Sequence, residues 1–350
     1  MNPYSNLPDH HFWRRSVSNK ARHEFDPVVS VKFTVGAQDR VATAGSCFAQ
    51  HISRRLSDQG FDYFVTEAGE SLSPGERKRL NFGVFSARYG NIYTARQLWQ
   101  LFDEAFNGRE RAERAWRRPD GRFVDPYRPT VEPDGFADTG AVEEARRHHL
   151  ERVRALFEQA DVFVFTLGLT EAWLSKRDGS VFPLPPGVVA DSFDESRHGF
   201  ANFSVAEVEQ DLRRFLDTLK SVNPNIRTLL TVSPVPLLAT YEPRNVLVAT
   251  TYSKSVLRVA AETIACDHEW VDYFPSYEII TGSFNGGMYY DDDGREVTRL
   301  GVDHVMRVFL NRYVLGVQPQ SQARIMEAVA AAPEVPMIVC DEEAIAALSK

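Results

Sequence analysis

Residues 40–49, RVATAGSCFA, carry the clearest fold signal in the chain. A short apolar run ends at Gly45-Ser46, which is typical of a buried strand that stops at a turn. After the turn, the apolar residues Phe48 and Ile52 recur at helical spacing. The segment therefore predicts a strand, a tight turn and a helix.

The alternation of strand and helix continues toward the C-terminus. Residues 161–168 form an almost continuous apolar run, which suits a strand buried on both faces. Because strands that alternate with helices form parallel sheets covered on both sides, we expect an α/β three-layer sandwich with a mostly parallel central sheet. The pattern also predicts strands at 61–65, 226–232 and 270–274 and helices at 95–106, 142–159, 204–222, 252–266 and 302–315.

The domain organisation follows from where this pattern is lost. Residues 1–38 are polar and proline-containing without a sustained period, and we expect an N-terminal arm that packs on the domain after it. Residues 39–316 form one α/β domain, with loop-rich insertions at about 107–140 and 176–203. Residues 317–350 are rich in proline and alanine and form a C-terminal extension.

Composition and charge exclude several classes of protein. The 350 residues carry a formal net charge of −8, so we expect no nucleic-acid partner. Only three cysteines occur, which indicates neither a disulfide framework nor a paired-cysteine metal site. The N-terminus lacks a signal-peptide pattern, and no apolar run reaches the length of a membrane span. We therefore expect a cytoplasmic protein without a membrane span, and the oligomeric state is open.

Ser46 lies where an α/β fold places its working groups. The carboxyl ends of parallel strands meet at one edge of the sheet, and residues 168–171 and 233–236 mark two further strand exits there. A serine at a strand-to-helix turn presents its hydroxyl above the sheet, near the N–H groups of the helix start. Ser46 can therefore act as a nucleophile. The alternative is that it only caps the helix, since serine is a preferred N-cap residue.

Four sequence blocks resemble those of a known family. They are GSCFA at 45–49, YGNIYTARQL at 89–98, TLGLTEAW at 166–173 and GVDHVM at 301–306, and together they span most of residues 3–315. These blocks are similar to those of the GSCFA family, whose members resemble the SGNH/GDSL esterases and acyltransferases. The resemblance implies an SGNH-like or flavodoxin-like sheet.

The resemblance implies that Ser46 is the nucleophile and His304 the general base. A base is needed because a neutral serine hydroxyl is a weak nucleophile until its proton is removed. Asp303 is the candidate for the acid that orients His304, although side chains of adjacent residues at a helix start can diverge. The alternatives are the aspartates at 291–293, a backbone carbonyl, or a Ser-His dyad without an acid.

The resemblance also implies an oxyanion hole and a substrate-binding edge. The backbone N–H of Ser46 is the first donor, and Gly90 is the candidate for the glycine donor of the superfamily. Thr170 stands where the family pattern has an asparagine, so its hydroxyl or the amide of Asn91 supplies the remaining donor. The candidate substrate-binding residues are Gly168, Glu171 and His198.

Cys47 and an acidic turn offer other interpretations. A thiol at a helix start can be activated, but free cysteine is commonly buried as a small apolar residue, and we expect Cys47 to face the core. Residues 291–294 (DDDG) resemble part of a calcium loop without its further ligands, so we predict a solvated turn and no metal site. No phosphate-binding loop occurs, so we expect no cofactor, with acetyl-CoA as the acyl donor in a transferase.

Together these features predict a serine-dependent esterase or O-acyltransferase, with the acetyl group as the expected acyl group. The resemblance implies an ester of a hydroxylated substrate, either a carbohydrate or another small acylated compound, and a Ser46 acyl-enzyme with His304 as the base. The alternative is a non-catalytic glycan-binding protein on an SGNH-like scaffold, because a fold can be retained after its chemistry is lost.

Overall fold

The computed structural model describes residues 2–58, 61–314, 341–342 and 344–345, which build an α/β fold around a parallel sheet. Four strands form this central sheet, and all three of its pairings are parallel. Numbered along the chain, they are the first, fourth, eighth and ninth strands, side by side in that order. The strands are β1 (Val41–Gly45), β2 (Trp116–Arg117), β3 (Phe123–Val124), β4 (Val162–Leu167), β5 (Glu171–Ser175), β6 (Val181–Phe182), β7 (His198–Asn202), β8 (Arg227–Val232) and β9 (Val271–Tyr273).

Helices cover both faces of the central sheet. They are α1 (Ala49–Asp58), α2 (Pro74–Arg79), α3 (Ala95–Asn107), α4 (Thr139–Gln159), α5 (Val205–Val222), α6 (Val246–Asp267), α7 (Ser276–Thr281) and α8 (Arg299–Tyr313). One hydrophobic core joins the sheet to α3, α4, α5 and α6, and a second joins the opposite face to α1, α7 and α8. The predicted three-layer α/β sandwich is confirmed.

The strands of the sheet contribute to both cores, because successive side chains of a strand point to opposite faces. Phe163 and Phe165 of β4 lie in the core with α3 to α6, whereas Val162 and Val164 lie in the core with α1, α7 and α8. All six residues of β4 are buried. Burial on both faces explains why this run of sequence is apolar throughout instead of alternating.

Three predictions of local structure need correction. Residues 61–65 do not form a strand, because only Tyr63 makes a bridge, to Val41 at the edge of the sheet. α6 begins at Val246 rather than at residue 252. The loop-rich insertion at 176–203 contains β6 and β7, which pair with β5 in an antiparallel sheet of three strands.

The N-terminal arm packs on the core formed with α1, α7 and α8. Val28 and Val35 of the arm are buried there, and the N–H of Val35 donates to the carbonyl of Tyr313 at 2.6 Å. The predicted C-terminal extension lies outside the described residues apart from 341–342 and 344–345. Within the described chain, every helix is too short or too polar to cross a lipid bilayer.

Candidate active site

Gly45 makes the turn between β1 and α1 possible. Its φ is +138°, a conformation that residues with a side chain rarely adopt. A methyl group at this position would lie 2.4 Å from the carbonyl oxygen of Thr166 on the neighbouring β4. Because glycine lets the two backbones come this close, Ser46 follows directly at the carboxyl edge of the sheet, where its N–H donates to the Thr166 carbonyl at 3.3 Å.

The hydroxyl of Ser46 is buried without a hydrogen bond. Ser46 is 4% exposed, and its Oγ has no hydrogen-bond partner in the part of the chain that the structure describes. The serine therefore does not cap α1, since an N-cap hydroxyl accepts from a backbone N–H of the first helical turn. An unsatisfied buried hydroxyl costs about 1–3 kcal/mol, so this arrangement requires an explanation.

Two further predicted blocks meet the Ser46 turn at the same edge. The N–H of Ile92 donates to the carbonyl of Gly45 at 2.9 Å, and the carbonyl of Tyr93 accepts from the N–H groups of Gly168 and Leu169, both at 3.0 Å. A methyl group on Gly168 would lie 3.1 Å from Cβ of Ser46. The loops after β1 and β4 and the segment before α3 therefore converge around the serine.

Gly90 and Asn91 belong to the segment that reaches the serine turn. Gly90 has a φ of +72°, which favours glycine, and Asn91 is 1% exposed. The side-chain amide of Asn91 donates to the Asp341 carboxyl at 2.9 Å. The amide that the sequence offers as an oxyanion donor is thus at the correct edge of the sheet, and it already binds a carboxyl oxygen.

His304 is held by groups other than Ser46. Its Nδ1 accepts from the Tyr289 hydroxyl at 2.5 Å, and its Nε2 donates to the carbonyl of Phe25 in the N-terminal arm at 2.6 Å. A carbonyl can only accept, so the proton of the neutral ring is on Nε2. Burial lowers the pKa of His304 to about 4, partly offset by the hydrogen bond to Phe25. Both ring nitrogens are therefore occupied, and neither is directed at the serine.

Among the described residues, no hydrogen bond joins the Asp303 carboxylate to the ring of His304. Its carboxylate forms an ion pair with Arg55 of α1 and lies 3.7 Å from the guanidinium of Arg299. The cause is helical geometry, because adjacent residues of a helix point about 100° apart. The proposed acid therefore links α8 to α1, and the group that hydrogen-bonds Nδ1 is the Tyr289 hydroxyl.

A family model described as the GSCFA family matches residues 40–309. The matched range contains the serine turn, the segment at Asn91, the loop at Gly168 and His304. The chain belongs to the GSCFA family. No curated protein matches it.

The predicted donors and binding residues after β4 make structural hydrogen bonds in this GSCFA protein. The N–H of Thr170 donates to Ser253 Oγ at 3.1 Å, and its hydroxyl donates to Asn202 Oδ1 at 2.7 Å. The carboxylate of Glu171 accepts from the Thr240 hydroxyl at 2.6 Å. Both donors of Thr170 are therefore used by Ser253 and Asn202, and its expected role as an oxyanion donor stays a prediction.

His198 lies in a partly buried network of charged groups. Its Nε2 donates to Glu113 at 3.1 Å, and Glu113 and Asp191 with His198 bring their ligand atoms within 4.8 Å of one another, as in a metal site. Arg197 occupies this arrangement, since its guanidinium lies 3.0 Å from both carboxylates. The positive charge that a metal ion would supply is already present, and His198 is fully buried rather than open to a substrate.

Lys254 is a charged residue of the site that the sequence analysis missed. It is 1% exposed on α6, and its Nζ donates to the carbonyl of Gly168 at 2.7 Å. Burial lowers the pKa of Lys254 to about 8, while the nearby acidic groups of Glu342 and Cys47 act in the opposite direction. A signal was available, because the helical pattern of α6 places this lysine among apolar core positions such as Leu257.

The remaining alternatives for the site are also resolved. Cys47 is buried, as predicted. The aspartates at 291–293 are exposed, and Asp293 accepts from the backbone N–H groups of Arg295 and Glu296 within its own turn. This segment is the predicted solvated turn, and it makes no hydrogen bond to His304 among the described residues.

Proposed function

We propose that this GSCFA protein is a serine-dependent esterase or O-acyltransferase in which Ser46 forms an acyl-enzyme. The observation that carries the proposal is the buried Ser46 hydroxyl, which lacks a hydrogen-bond partner in the described part of the chain. A role in chemistry explains why a serine is kept where an alanine would avoid the cost of desolvation. The proposal includes an SGNH-like division of roles among the strand-exit loops.

The proposed reaction has two steps. Ser46 Oγ attacks the acyl carbonyl while a base takes its proton, and the leaving group, an alcohol from an ester or the thiol from acetyl-CoA, departs with that proton. A water molecule or a sugar hydroxyl then attacks the acyl-enzyme with the help of the same base, which returns the proton to Ser46 as the new acid or ester is released. The identity of this second acceptor decides between hydrolysis and transfer.

His304 is the proposed base. Its lowered pKa, about 4, keeps the ring neutral at pH 7, and a neutral ring is what proton abstraction requires. The Nδ1 lone pair accepts from Tyr289, so the imidazole must exchange this hydrogen bond before it can activate Ser46. Lys254, which contacts the Gly168 carbonyl beside Ser46, is the alternative base, and its pKa of about 8 makes the two candidates separable by pH.

We propose that the oxyanion forms beside Ser46 and the segment at Gly90 and Asn91. Among the described residues the backbone N–H of Ser46 makes a long hydrogen bond of 3.3 Å to Thr166, and a stronger acceptor can compete for this donor. The hydrogen bond from the Asn91 amide to the Asp341 carboxyl supports its ability to bind an anionic oxygen. Each such donor is typically worth about 3 kcal/mol of barrier.

An exposed aromatic surface, formed by Trp173 of β5 and by Phe193 and Tyr241 of nearby loops, favours a carbohydrate as the substrate. Trp173 packs against Tyr241 and Phe193, with ring centroids 4.8 Å and 5.2 Å apart, and these two partners are 63% and 47% exposed. Rigid aromatic rings supply a large contact area at a small cost in entropy. Acetyl-CoA as the donor of a transferase and a cytoplasmic location remain predictions from the sequence.

Glycan binding without catalysis is the second candidate function. The hydrogen bonds of His304 favour this candidate, because both ring nitrogens are engaged, by Tyr289 and by Phe25, and the ring does not act as a base in this arrangement. On this account the aromatic surface binds a glycan, and the serine has no reaction partner. Retention of both Ser46 and His304 supports the catalytic candidate instead.

Turnover of p-nitrophenyl acetate by the wild type, Ser46→Ala and Cys47→Ala tests the proposal. We expect Ser46→Ala to lose turnover and Cys47→Ala to retain it, and turnover that survives Ser46→Ala contradicts a serine mechanism. Addition of acetyl-CoA with an acetylated or free oligosaccharide distinguishes transfer from hydrolysis by the product. Glycan binding that is lost in Trp173→Ala, with no turnover by the wild type, supports the second candidate.

A further inference from the structure

Two acidic residues from the far C-terminal part of the chain are buried beside the candidate active site. Asp341 and Glu342 are 4% and 7% exposed. The Asp341 carboxyl accepts from the side-chain amide of Asn91 at 2.9 Å and from the Thr130 hydroxyl at 2.6 Å, and the backbone N–H of Asn91 also donates to it. A donor assigned to the oxyanion is therefore bound by a carboxyl group of the chain itself.

Glu342 lies beside two cationic groups at the same edge of the sheet. Its carboxylate pairs with the Arg295 guanidinium at 2.6 Å, and the ammonium group of Lys254 attracts it as well. Since Lys254 also contacts the carbonyl of Gly168, this cation lies next to the loop that packs on Ser46. Two adjacent carboxyl groups are thus surrounded by an amide, a hydroxyl, a guanidinium and an ammonium, which is a donor set that suits an anionic ligand.

Asp341 is held differently from a structural buried acid of the same chain. Asp125 is fully buried, but Arg146 and Arg128 outweigh the effect of burial and hold its pKa well below the usual range. Burial raises the pKa of Asp341, because its donors Thr130 and Asn91 are neutral and compensate only in part. Among the described residues no cation pairs with Asp341, so its carboxyl group is bound less tightly than that of Asp125 and the contact is suited to release.

We propose that this edge is a carboxylate-binding site, which Asp341 and Glu342 fill as an internal competitor of an acidic ligand. The ligand is a compound with a carboxylate group, such as an acidic sugar or an acidic peptide segment, and it binds when the C-terminal residues leave. Inhibition of catalysis by Asp341 rests on the proposed function, because Asn91 is the proposed oxyanion donor. Binding of a carboxylate at this site does not depend on the proposed function. The carboxylate site consists of four donor residues: Asn91, Thr130, Arg295 and Lys254.

The first experiment measures binding without any reaction. The full-length variant Asp341→Ala/Glu342→Ala is titrated against a fluorescent peptide of residues 338–346 that carries Cys340→Ser. The matched control is Glu110→Ala/Glu269→Ala, which removes the same charge from two exposed positions. We expect the peptide to bind the first variant at least tenfold more tightly than the wild type or the control. A peptide with alanine in place of Asp341 and Glu342 should not bind.

The second experiment measures access to Ser46. The labelling rate with a fluorophosphonate should rise at least tenfold in Asp341→Ala/Glu342→Ala and stay unchanged in the control. If the double variant does not fold, Thr130→Val removes one donor at nearly constant volume, and we expect its labelling rate to rise about threefold. An unchanged rate in Thr130→Val overturns the inference in that case.

The two measurements separate the inference from the proposed function. Peptide binding without labelling of Ser46 in any protein supports the carboxylate site and contradicts the serine mechanism. Equal labelling of Ser46 in all proteins, with no peptide binding to Asp341→Ala/Glu342→Ala, overturns the internal competitor and leaves the serine mechanism intact. Peptide binding together with faster labelling supports both.

Discussion

The residues expected to act together, Ser46 and His304, have opposite surroundings. The Ser46 hydroxyl is buried with no hydrogen-bond partner in the described chain, whereas both ring nitrogens of His304 are engaged, by Tyr289 and by Phe25 of the N-terminal arm. Because a satisfied buried group stabilises a fold and an unsatisfied one destabilises it, the Ser46 hydroxyl has a cost that the His304 ring does not. In the proposed mechanism the serine is ready to react, whereas the histidine must first exchange its hydrogen bonds.

The largest expected effect comes from removing the serine hydroxyl. Ser46→Ala should lower turnover of an ester by at least about 10³-fold, because the nucleophile is lost. The same change should raise the free energy of unfolding by about 1 kcal/mol, because an unsatisfied buried hydroxyl disappears. Urea unfolding and p-nitrophenyl acetate turnover measure the two effects.

Ser53 provides the matched control for the effect on stability. It is also buried, but its hydroxyl donates to the carbonyl of Gln50 at 3.0 Å. Ser53→Ala should therefore lower the free energy of unfolding by about 1 kcal/mol. If both variants are destabilised alike, the Ser46 hydroxyl has a partner and the contrast with His304 is lost.

The next effect concerns the base. His304→Ala should lower turnover by about 10²-fold or more, as expected when a general base is removed. Tyr289→Phe should raise turnover severalfold, because it frees the Nδ1 lone pair.

In the pH profile of kcat/KM, activity should rise with pH through the pKa of His304, from about 4 upward, and be level by pH 7. A rise near pH 8 would instead assign the base to Lys254.

The engagement of His304 also predicts loss of stability in acid. Its folded pKa is lowered to about 4 from 6.5, so the unfolded chain binds the proton more strongly and stability falls as pH decreases from 6.5 toward 4. From pH 7 to pH 5, protonation of this residue in the unfolded chain should lower the free energy of unfolding by about 2 kcal/mol. Urea titrations at both values should show a smaller difference for His304→Gln than for the wild type. An equal difference would mean that the ring is not held neutral.

The smallest expected effect is that of Asp303. Because its carboxylate pairs with Arg55 rather than with His304, Asp303→Asn should change turnover less than about threefold at a temperature where the variant is folded. An acid that orients a catalytic histidine would cost about 10⁴-fold in the same change. A loss of that size would show that the ring reorients toward Asp303 during the reaction.

The parts of the fold that the sequence predicts are those with local signals. The strand at 162–167 is recognisable because it is apolar on both faces, and the serine turn is recognisable because a glycine separates an apolar run from helical spacing. The antiparallel sheet of β5 to β7 is not predicted, because β6 has only two residues and β7 follows a long loop-rich segment before it pairs with β5. The first residues of α6, VLVATT at 246–251, are mostly exposed and β-branched or small, so they give no helical pattern.

The candidate site likewise has a part that the sequence predicts and a part that it does not. The rule that strand exits converge predicts the meeting of Ser46 and Gly168, whereas Asn91 is a candidate only through the family resemblance. It cannot predict hydrogen-bond partners, because these depend on packing between distant segments. The Thr170 hydroxyl is used by Asn202, and the Asn91 amide is used by Asp341, which is 250 positions away in the sequence.

The most direct test of the account is to locate the adduct of a fluorophosphonate after long incubation with the wild type and with Asp341→Ala/Glu342→Ala. Trypsin releases residues 41–54 as one peptide, which contains Ser46, Cys47 and Ser53. Fragment masses should place the adduct on Ser46 in both proteins. An adduct on Cys47 or Ser53, or an unmodified peptide in both, would contradict the assignment of Ser46 as the nucleophile.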